Sequence, residues 1–252
     1  MAHYKSILAY DGTAYKGFQR QQDGIATVQA EVEDALRRIG WREKSLLAAG
    51  RTDTGVHARG QVISFSLDWG HSSSDLTAAL NAYLPADIAV QATEIAPEDF
   101  HPRFSAQRRR YRYGLLIAEV RDPLRERYLW RRWPGPDLAT MNTVAQGLEG
   151  RHDFRAFGPP PIEGGHTVRE VFYARWSREH DRLSFLIEAN AYLQHMVRRL
   201  VAALVRVGEE RELAEAVIGR LDRPDERWEG PLAPPRGLVL EAVMYAKEDH
   251  EK

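Results

Sequence analysis

The spacing of apolar residues predicts strands and helices that follow the same order in both halves of the chain. In the first half, alternating apolar residues predict a strand over residues 4–10. A helix is predicted from Thr27, its N-cap, to Ile39, with Gly40 as the stop. The remaining elements of this half are strands over residues 45–49 and 61–67, a helix that Ser74 opens and Pro85 closes, and a strand over residues 88–95.

The second half repeats this order over a longer stretch of chain. A strand is predicted over residues 110–117, and a helix that starts at a proline is predicted over residues 136–148. Two further strands, 168–177 and 183–191, form a hairpin around a polar turn. The last elements are a long helix over residues 193–207, a short helix over residues 211–221 and a strand over residues 238–245.

Each half therefore has the β-α-β-β-α-β order of the split βαβ, or ferredoxin-like, arrangement. The predicted class is α+β, with an N-terminal half over residues 1–104 and a C-terminal half over residues 105–252. We expect the two halves to form one continuous mixed, mainly antiparallel sheet. Helices are expected on one face of that sheet and a cleft on the other. The halves share the order of elements only, because no clear sequence repeat is present.

The composition is that of a soluble globular protein and excludes several kinds of chemistry. Hydrophobic residues make up 43% and charged residues 28% of the chain, which are ordinary values. The absence of cysteine excludes disulfides, thiolate nucleophiles and cysteine-ligated zinc. The N-terminus lacks the apolar core of a signal peptide, and no apolar run approaches the roughly 18 residues that a membrane helix needs. We therefore expect a cytoplasmic protein with no membrane contact.

Positive charge is concentrated in one stretch, although the net charge of the chain is only −1. Residues 103–132 contain ten arginines and three acidic residues, a local charge of +7. Because the planar arginine fork suits phosphates and stacks on bases, this stretch predicts an RNA-binding surface. The aromatic residues interleaved at positions 110–113 favour the same interpretation. The alternative is a solvated face whose arginine content reflects genome composition.

Residues 50–62 place one carboxylate among arginines and glycines in a short loop between two predicted strands. Asp53 lies between Arg51 and Arg59, and nearby guanidinium groups favour an ionised carboxylate. Three glycines allow backbone conformations and close approaches that a side chain would block. The loop is suited to a nucleophile and to a phosphate-rich ligand. In the alternative, Asp53 only stabilises a turn, but a turn does not require Arg59, His57 and Gln61 in the same loop.

Three short motifs stand far apart in the chain: Gly-Arg-Thr-Asp at positions 50–53, Arg-Tyr-Arg-Tyr at 110–113 and His-Met-Val-Arg at 195–198. They belong to six longer segments, residues 10–21, 50–61, 100–113, 150–154, 189–199 and 233–240. In order, these six segments resemble those of the bacterial tRNA pseudouridine synthase A (TruA) family, and the resemblance covers nearly the whole chain.

The resemblance implies a reaction and a set of functional residues. The reaction is the isomerisation of uridine to pseudouridine at positions 38, 39 and 40 of the tRNA anticodon stem-loop, without a cofactor. Asp53 matches the catalytic nucleophile, Tyr111 the aromatic residue that contacts the target uridine, and Arg198 the basic residue that pairs with the nucleophile. A homodimer that holds the anticodon arm and the tRNA body in an RNA-binding cleft is also implied. The predicted substrate-binding residues are Tyr111, Arg51, His57, Gln61, Arg59, Arg109, Arg110 and Leu238.

The chemistry of this isomerisation is compatible with a carboxylate nucleophile. Moving the glycosidic bond from N1 to C5 of uracil requires no redox change and no external group. The carboxylate can attack uracil C6, trap the sugar at C1′, or assist loss of the C2′ proton so that a glycal forms. The residues leave these routes open. A base or water must also remove the C5 proton, and Tyr111 is the nearest candidate.

Several alternatives compete with this interpretation. Tyr111 could pack in the core, since Tyr113 has the same strand parity, so that one of the two packs and the other contacts the base. The spacing of His57, His101 and His152 matches no compact metal motif, and His152 with its neighbours is expected to cap and pack a short helix. A pure RNA-binding module gains little from an anion that faces phosphates, and a methyltransferase lacks its glycine-rich motif here. A pseudouridine synthase with another RNA or a wider set of uridines is the closest alternative.

Overall fold

The computed structural model describes residues 1–22, 24–162 and 164–246, and its chain separates into two compact units. Unit 1 comprises Met1–Gln107 with the C-terminal stretch that begins at Leu240, and unit 2 comprises Arg108–Val239. Both units contain helices and mainly antiparallel strands, so the predicted α+β class is confirmed. Within the described ranges, no helix is both long and apolar enough to span a membrane.

Unit 1 has the strand arrangement that the split βαβ pattern predicts. Its strands follow the order β4-β1-β3, β1 is antiparallel to both neighbours, and the short β2 pairs with β3. The elements are β1 (Ala2–Tyr10), α1 (Val28–Arg38), β2 (Leu47–Ala48), β3 (His57–Leu67), α2 (Ser73–Tyr83) and β4 (Ile88–Ile95).

Alternation along β1 explains the core of unit 1. Tyr4, Leu8 and Tyr10 are buried, because residues two apart point to the same face of a strand. The ring of Tyr4 stacks on that of Phe65 from β3 with centroids 5.9 Å apart. The apolar faces of α1 and α2 are buried as well, so the helices and one face of the sheet together form the core.

Unit 2 is built around a longer hairpin. Its strands follow the order β5-β9-β8-β7, and the short β6 lies parallel to β5. The elements are β5 (Ala106–Ile117), β6 (Trp130–Arg132), α3 (Leu138–Gln146), β7 (Gly150–Asp153), β8 (Val168–Glu179), β9 (Arg182–Ala189), α4 (Met196–Gly208), α5 (Ala214–Asp222) and β10 (Leu238–Tyr245), whose residues from Leu240 belong to unit 1.

One amide side chain and one aromatic pair connect elements in the core of unit 2. Asn142 of α3 donates to the backbone oxygen of Trp176 and accepts from its backbone N–H, at 3.0 and 2.8 Å. The ring of Trp176 stacks on that of Phe185 with centroids 5.1 Å apart. The predicted hairpin of β8 and β9 is confirmed, with His180 at φ 55° in its two-residue turn.

Several predicted bounds differ from those of the structure for local reasons. Helix α2 begins at Ser73 rather than at Ser74, because Ser72 and Asp75 form a capping box. Strand β3 begins at His57 rather than at residue 61, since it continues to pair with β1 as far as the Tyr10–Ala58 partners. Strands β6 and β7 were not predicted, because they are too short to show a period. Asp153 accepts from the backbone N–H of Arg155, the first residue of the short helical turn that follows, but the N-cap of that turn is Phe154 and carries no side-chain cap bond.

Candidate active site and nucleic-acid interface

Asp53 begins a tight turn just before β3. The backbone N–H of Val56 donates to the Asp53 carbonyl oxygen at 3.1 Å, and Gly55 at the third position of the turn has φ 75°. Glycine is favoured there because a positive φ is strained for other residues. Asp53 itself is half-buried, while Thr54 beside it is exposed. The turn therefore carries the carboxylate at the surface of unit 1 on a backbone with a defined shape.

The segment that follows β1 packs against this turn and supports it through backbone hydrogen bonds. The backbone N–H of Phe18 donates to the carbonyl oxygen of Thr52 at 3.0 Å, and that of Gly55 donates to the carbonyl oxygen of Tyr15 at 3.4 Å. A Cβ added to Gly12 would lie 2.0 Å from the carbonyl oxygen of Val56, so only glycine permits this close approach. The segments 10–21 and 50–61, which the sequence singled out separately, are thus packed against each other.

A buried polar group holds the base of the turn. The hydroxyl of Tyr10 and that of Thr52 lie 2.8 Å apart, and both residues are buried. The Gln61 side chain, which is fully buried, donates to the carbonyl oxygen of Gly50 at 2.9 Å. Burial raises the pKa of Tyr10 to about 12, although hydrogen bonds with Thr52 and Gln61 act in the opposite direction. Tyr10 is therefore a neutral hydrogen-bonding group directly beneath the neighbour of Asp53.

His57 also supports the turn from inside the unit. It is buried, and its Nδ1 accepts from the backbone N–H of Gly12 at 3.0 Å. Asp11 Oδ1 lies 3.1 Å from the same nitrogen, so the protonation of Nδ1 decides which of the two it bonds. The burial of His57 and Gln61 favours a supporting role for both side chains. Their predicted contact with substrate stays a prediction.

Arg51 and Arg59 differ from their neighbours because both are exposed. Across the described part of the chain, neither makes an ion pair or hydrogen bond through its guanidinium group. The guanidiniums on both sides of Asp53 are therefore available to an anionic ligand.

Strand β5 of unit 2 places Tyr111 and Tyr113 on one face with different exposure. Tyr113 is fully buried and its hydroxyl donates to the carbonyl oxygen of Pro234 at 2.8 Å. Tyr111 is half-buried, and its ring meets that of Tyr192 edge-on with centroids 5.1 Å apart. The Tyr192 hydroxyl bonds the carbonyl oxygens of Arg109 and Ile187 at 3.0 and 3.1 Å. Tyr113 thus packs, while Tyr192 orients the ring of Tyr111.

The opposite face of β5 carries arginines that are held by one buried carboxylate. Glu188 lies directly across from Arg110 in the register of β5 and β9. Its two oxygens accept from Arg108 at 3.0 Å and from Arg110 at 2.8 Å. Burial opposes the charge of Glu188, but the hydrogen bonds and charges of Arg110 and Arg108 outweigh it and lower the pKa of this carboxyl. Arg110, predicted to bind substrate, is therefore engaged within the protein.

Other arginines of residues 103–132 are also engaged within the protein. Arg109 donates to the carbonyl oxygen of Asn190 at 2.7 Å, and Arg108 also stacks on Phe172 at 4.1 Å. The further ion pairs of the stretch are Arg125 with Asp181, Arg131 and Arg121 with Glu126, and Arg132 with Glu209. The local charge of +7 thus overstates the positive surface that this stretch presents to RNA.

Arg198 lies in the first turn of α4, and a hydrogen bond from its Nε holds the side chain in place. Its Nε donates to the carbonyl oxygen of Ala233 at 2.8 Å, and the backbone N–H of Ala233 returns a bond to the Arg198 carbonyl oxygen. Burial raises the pKa of Tyr113, and the positive charge of Arg198 opposes that rise. Three of the resembling segments, 110–113, 195–198 and 233–240, therefore meet in unit 2. Leu238, predicted to bind substrate, is buried at the start of β10.

Sequence reasoning missed the residues that support the predicted ones. Tyr10 fits the apolar alternation of β1, and only its position at the strand end points to the loop. Glu188 is one acid among many, because its role depends on the register of β5 and β9. Tyr192 stands next to His-Met-Val-Arg in the sequence and could have been found from that proximity. Among the residues that the structure describes, no cluster of three histidine or acidic side chains is placed to hold a metal ion.

Comparison with known proteins gives one consistent family. A family model described as tRNA pseudouridine synthase matches residues 7–105 and 144–246. This match includes Asp53 and Arg198 and leaves out Tyr111. The loop that carries Asp53 and the helical turn that carries Arg198 thus lie inside the matched regions.

Three relatives carry the name tRNA pseudouridine synthase A. The chain is 43% identical to that of Moorella thermoacetica, over 96% of this chain and 98% of the relative. It is 40% identical to that of Myxococcus xanthus, over 97% of this chain and 92% of the relative. It is 38% identical to that of Syntrophotalea carbinolica, over 99% of this chain and 98% of the relative. The chain therefore belongs to the tRNA pseudouridine synthase A (TruA) family and is an isomerase.

Proposed function

We propose that this protein isomerises uridine to pseudouridine at positions 38, 39 and 40 of the tRNA anticodon stem-loop, with Asp53 as nucleophile and without a cofactor. The observation that carries the proposal is the Asp53 turn, which is held by two backbone hydrogen bonds and by the contact of the Tyr10 and Thr52 hydroxyls while Asp53 itself stays half-exposed. A turn with only a structural role would not need two exposed guanidiniums beside it. When a rigid backbone turn holds a reacting group in place, less structural rearrangement is needed for the reaction.

In the proposed reaction the carboxylate holds one half of the substrate while uracil detaches and turns over. The glycosidic bond from C1′ to N1 breaks, a bond from C1′ to C5 forms, the C5 proton leaves, and N1 takes up a proton. Attack at C6, capture of C1′ and assistance in glycal formation all use the same ionised Asp53. None of these routes consumes an external reactant, because substrate and product are isomers.

Arg198 and Tyr111 take the other roles in this proposal. Arg198 supplies positive charge to the catalytic carboxylate, and this role is supported by the hydrogen bond from its Nε to the Ala233 carbonyl oxygen, which fixes the guanidinium group. Tyr111 makes a stacked or edge-on contact with the uracil. Two observations support this role: its ring is half-exposed, and Tyr192 limits the orientations of that ring. Tyr111 is also the candidate group for removal of the C5 proton.

The proposed binding residues divide into two groups. Arg51 and Arg59 contact tRNA phosphates, because their exposed guanidiniums suit anions. Arg109 contributes to the same contact, whereas Arg110 acts through Glu188 on the position of β5. His57, Gln61 and Leu238 are buried and support the loop and strand that carry the contacting groups. We extend the proposal to a cytoplasmic homodimer that binds the anticodon arm and the tRNA body.

The test of this function is conversion of defined uridines in unmodified tRNA transcripts. The purified protein is incubated with transcripts in the presence of a chelator, and pseudouridines are mapped by the carbodiimide adducts that stop reverse transcriptase. We expect modification at positions 38, 39 and 40 only, and none in a matched transcript with cytidine at those positions.

Each other outcome of this test contradicts a stated part of the proposal. Binding without conversion would indicate an RNA-binding module, and conversion elsewhere would indicate another target site. Loss of conversion with chelator would contradict the absence of a metal cofactor. Light scattering after gel filtration tests the homodimer, and a monomer at working concentrations would contradict it.

A further inference from the structure

One segment of the resemblance, residues 100–106, has no role in the proposed reaction. It contains Phe104, whose exposed fraction is 76%, the largest among the phenylalanine, tyrosine and tryptophan residues in the described ranges. Isolated exposed apolar residues are common and need no explanation. Two features distinguish Phe104. Hydrogen bonds hold the backbone around it in a defined turn, and its neighbours are polar or charged side chains.

The backbone around Phe104 is held by hydrogen bonds within unit 1. The N–H groups of Arg103 and Phe104 both donate to Nδ1 of His101, at 3.1 and 3.3 Å. Ser105 closes the turn, because its N–H donates to the carbonyl oxygen of His101 at 2.9 Å and its hydroxyl accepts from the His101 N–H at 3.2 Å. The turn is fastened to β10 through the Tyr245 hydroxyl, which donates to the Pro102 carbonyl oxygen at 2.9 Å.

These bonds fix the aromatic ring in a preorganised position. Two N–H groups donate to His101 Nδ1, which places the ring proton on Nε2 and fixes the imidazole. That imidazole backs the Phe104 ring with centroids 4.3 Å apart. The guanidinium of Arg103 lies 5.7 Å from the centroid of the Phe104 ring. An exposed ring on an ordered turn loses little entropy when it binds.

The neighbours of Phe104 favour a nucleobase over a protein partner. A protein-docking patch has further exposed apolar residues around its aromatic anchor, but here the ring is flanked by Arg103, His101 and Ser105. Aromatic rings beside arginine form the sites on which unpaired bases stack, since every base has a π-face and guanidinium adds attraction to base and phosphate. Phe100, the other phenylalanine of the segment, packs on Tyr245 with centroids 5.1 Å apart and so anchors the turn.

We propose that Phe104 is a stacking platform for an unpaired nucleobase of the RNA substrate, backed by His101 and assisted by Arg103. The proposal rests on the proposed function, because it takes the ligand to be RNA. It adds a binding site on unit 1 that is separate from the residues assigned to catalysis. Stacking of this kind is sequence-tolerant, so the platform contributes affinity and position rather than choice of base.

The test compares Phe104→Ala, Phe104→Leu and Phe104→Trp by fluorescence anisotropy with a labelled short oligouridylate, a blunt RNA duplex of the same length and a tRNA transcript. We expect the Ala and Leu variants to bind the oligouridylate and the tRNA about tenfold more weakly, which is the lower part of the range for one stacked base. Trp should retain the wild-type affinity, and the duplex should bind equally to all. Leu124→Ala is the matched control, since Leu124 is 85% exposed and lies in unit 2.

Three results would overturn the platform. If Phe104→Ala bound RNA with unchanged affinity, Phe104 would have no role in binding. If Phe104→Leu bound RNA with full affinity, the ring would make only an ordinary apolar contact. A changed oligomeric state with unchanged RNA affinity would assign the ring to a protein interface. Failure of the proposed function has a different signature: the wild-type protein would bind oligouridylate in a Phe104-dependent manner and form no pseudouridine in tRNA. Melting curves of each variant confirm that the exposed substitution leaves the fold intact.

Discussion

The Asp53 loop of unit 1 and strand β5 of unit 2 both combine arginines with residues assigned to chemistry, but they hold those arginines differently. In the loop, Arg51 and Arg59 are exposed and lack acid partners among the described residues. On β5, Arg108 and Arg110 are clasped by the buried Glu188. The sequence marks β5 as the more basic region. The structure shows that the loop, with fewer arginines, has more charge available to a ligand.

This difference shows that a local charge count measures binding capacity only after internal pairs are removed. Guanidiniums tied to carboxylates hold neighbouring strands in place and give tRNA little attraction. Those without such partners can replace the counterions of a phosphate backbone. The arginines around Asp53 and those of β5 should therefore respond differently to substitution, and each response can be measured.

After Asp53 itself, the largest effect is expected at Arg198, which shares its helical turn with a structural arginine. Arg198→Ala should lower kcat about a hundredfold, as expected for loss of one preorganised electrostatic group, with a smaller change in tRNA affinity. Arg199→Ala is the matched control, because Arg199 bonds the carbonyl oxygens of Phe157 and Gln194. It should lower stability and leave kcat within a few-fold of wild type. Equal losses of kcat in both variants would contradict the assignment.

The next effect is expected from the brace beneath Asp53. Tyr10→Phe removes the hydroxyl that lies 2.8 Å from that of Thr52 and should lower single-turnover rates about tenfold by loosening the turn. It should also lower the free energy of unfolding by about 1–3 kcal/mol, since a buried partner is left unbonded. Tyr15→Phe is the control, because its hydroxyl donates to Asp87 at 2.6 Å. If Tyr15→Phe slowed turnover as much, the brace would have no specific role.

A smaller effect, on binding, separates the two sets of arginines directly. The double variant Arg51→Ala, Arg59→Ala should reduce the dependence of log Kd on log salt by about 2, one for each lost phosphate contact. Arg110→Ala should leave this slope almost unchanged. Arg42→Ala is the control for general charge, since Arg42 is an exposed arginine of unit 1 outside the loop. A larger change of slope in Arg110→Ala than in the double variant would reverse the comparison.

The smallest effect on activity is expected from Glu188→Gln, which acts on stability. Removing the charge between Arg108 and Arg110 should lower the free energy of unfolding at pH 7 by about 1–2 kcal/mol, a modest value because solvent screens both partly exposed arginines. Urea unfolding followed by circular dichroism measures this change. The salt dependence of tRNA binding should stay close to that of wild type or become slightly steeper.

The pH dependence of this variant checks the cause. Folding lowers the pKa of Glu188, so its contribution to stability is present above the ordinary glutamate value of 4.5 and is lost as the pH falls through the lower folded value. The difference in unfolding free energy between wild type and Glu188→Gln should therefore shrink below about pH 4.5. A difference that stayed constant down to pH 3 would show that shape, rather than charge, explains the loss.

The sequence predicted the elements of this fold well where periodicity was long. The bounds Ile88–Ile95 and Leu238–Tyr245 are confirmed as predicted, since Asp87 and Pro97 flank the first strand and Gly237 precedes the second. The start of β3 was wrong, because His57 and Gln61 look like exposed polar residues and are buried. Their burial depends on partners in a distant segment, which no local pattern reveals.

The candidate site shows the same division between local and distant information. Asp53 with its flanking arginines could be predicted, because one loop of sequence contains them all. The supporting contacts could not, since the Tyr10 and Thr52 hydroxyls are brought together by the pairing of β1 with β3. The ion pairs of Glu188 with Arg108 and Arg110 likewise depend on the register of β5 and β9, which places Glu188 across from Arg110. Strand register and burial therefore decide which arginines are available, and composition alone does not.

The most direct test of the central claim is a single-turnover measurement of pseudouridine formation by wild type and Asp53→Asn on the same tRNA transcript, with binding measured in parallel. Asparagine keeps the size of the side chain and its place in the braced turn while removing the nucleophilic charge. We expect a rate at least about a thousandfold lower with a Kd for tRNA within a few-fold of wild type. Turnover by Asp53→Asn within tenfold of wild type would contradict the role of Asp53 as nucleophile.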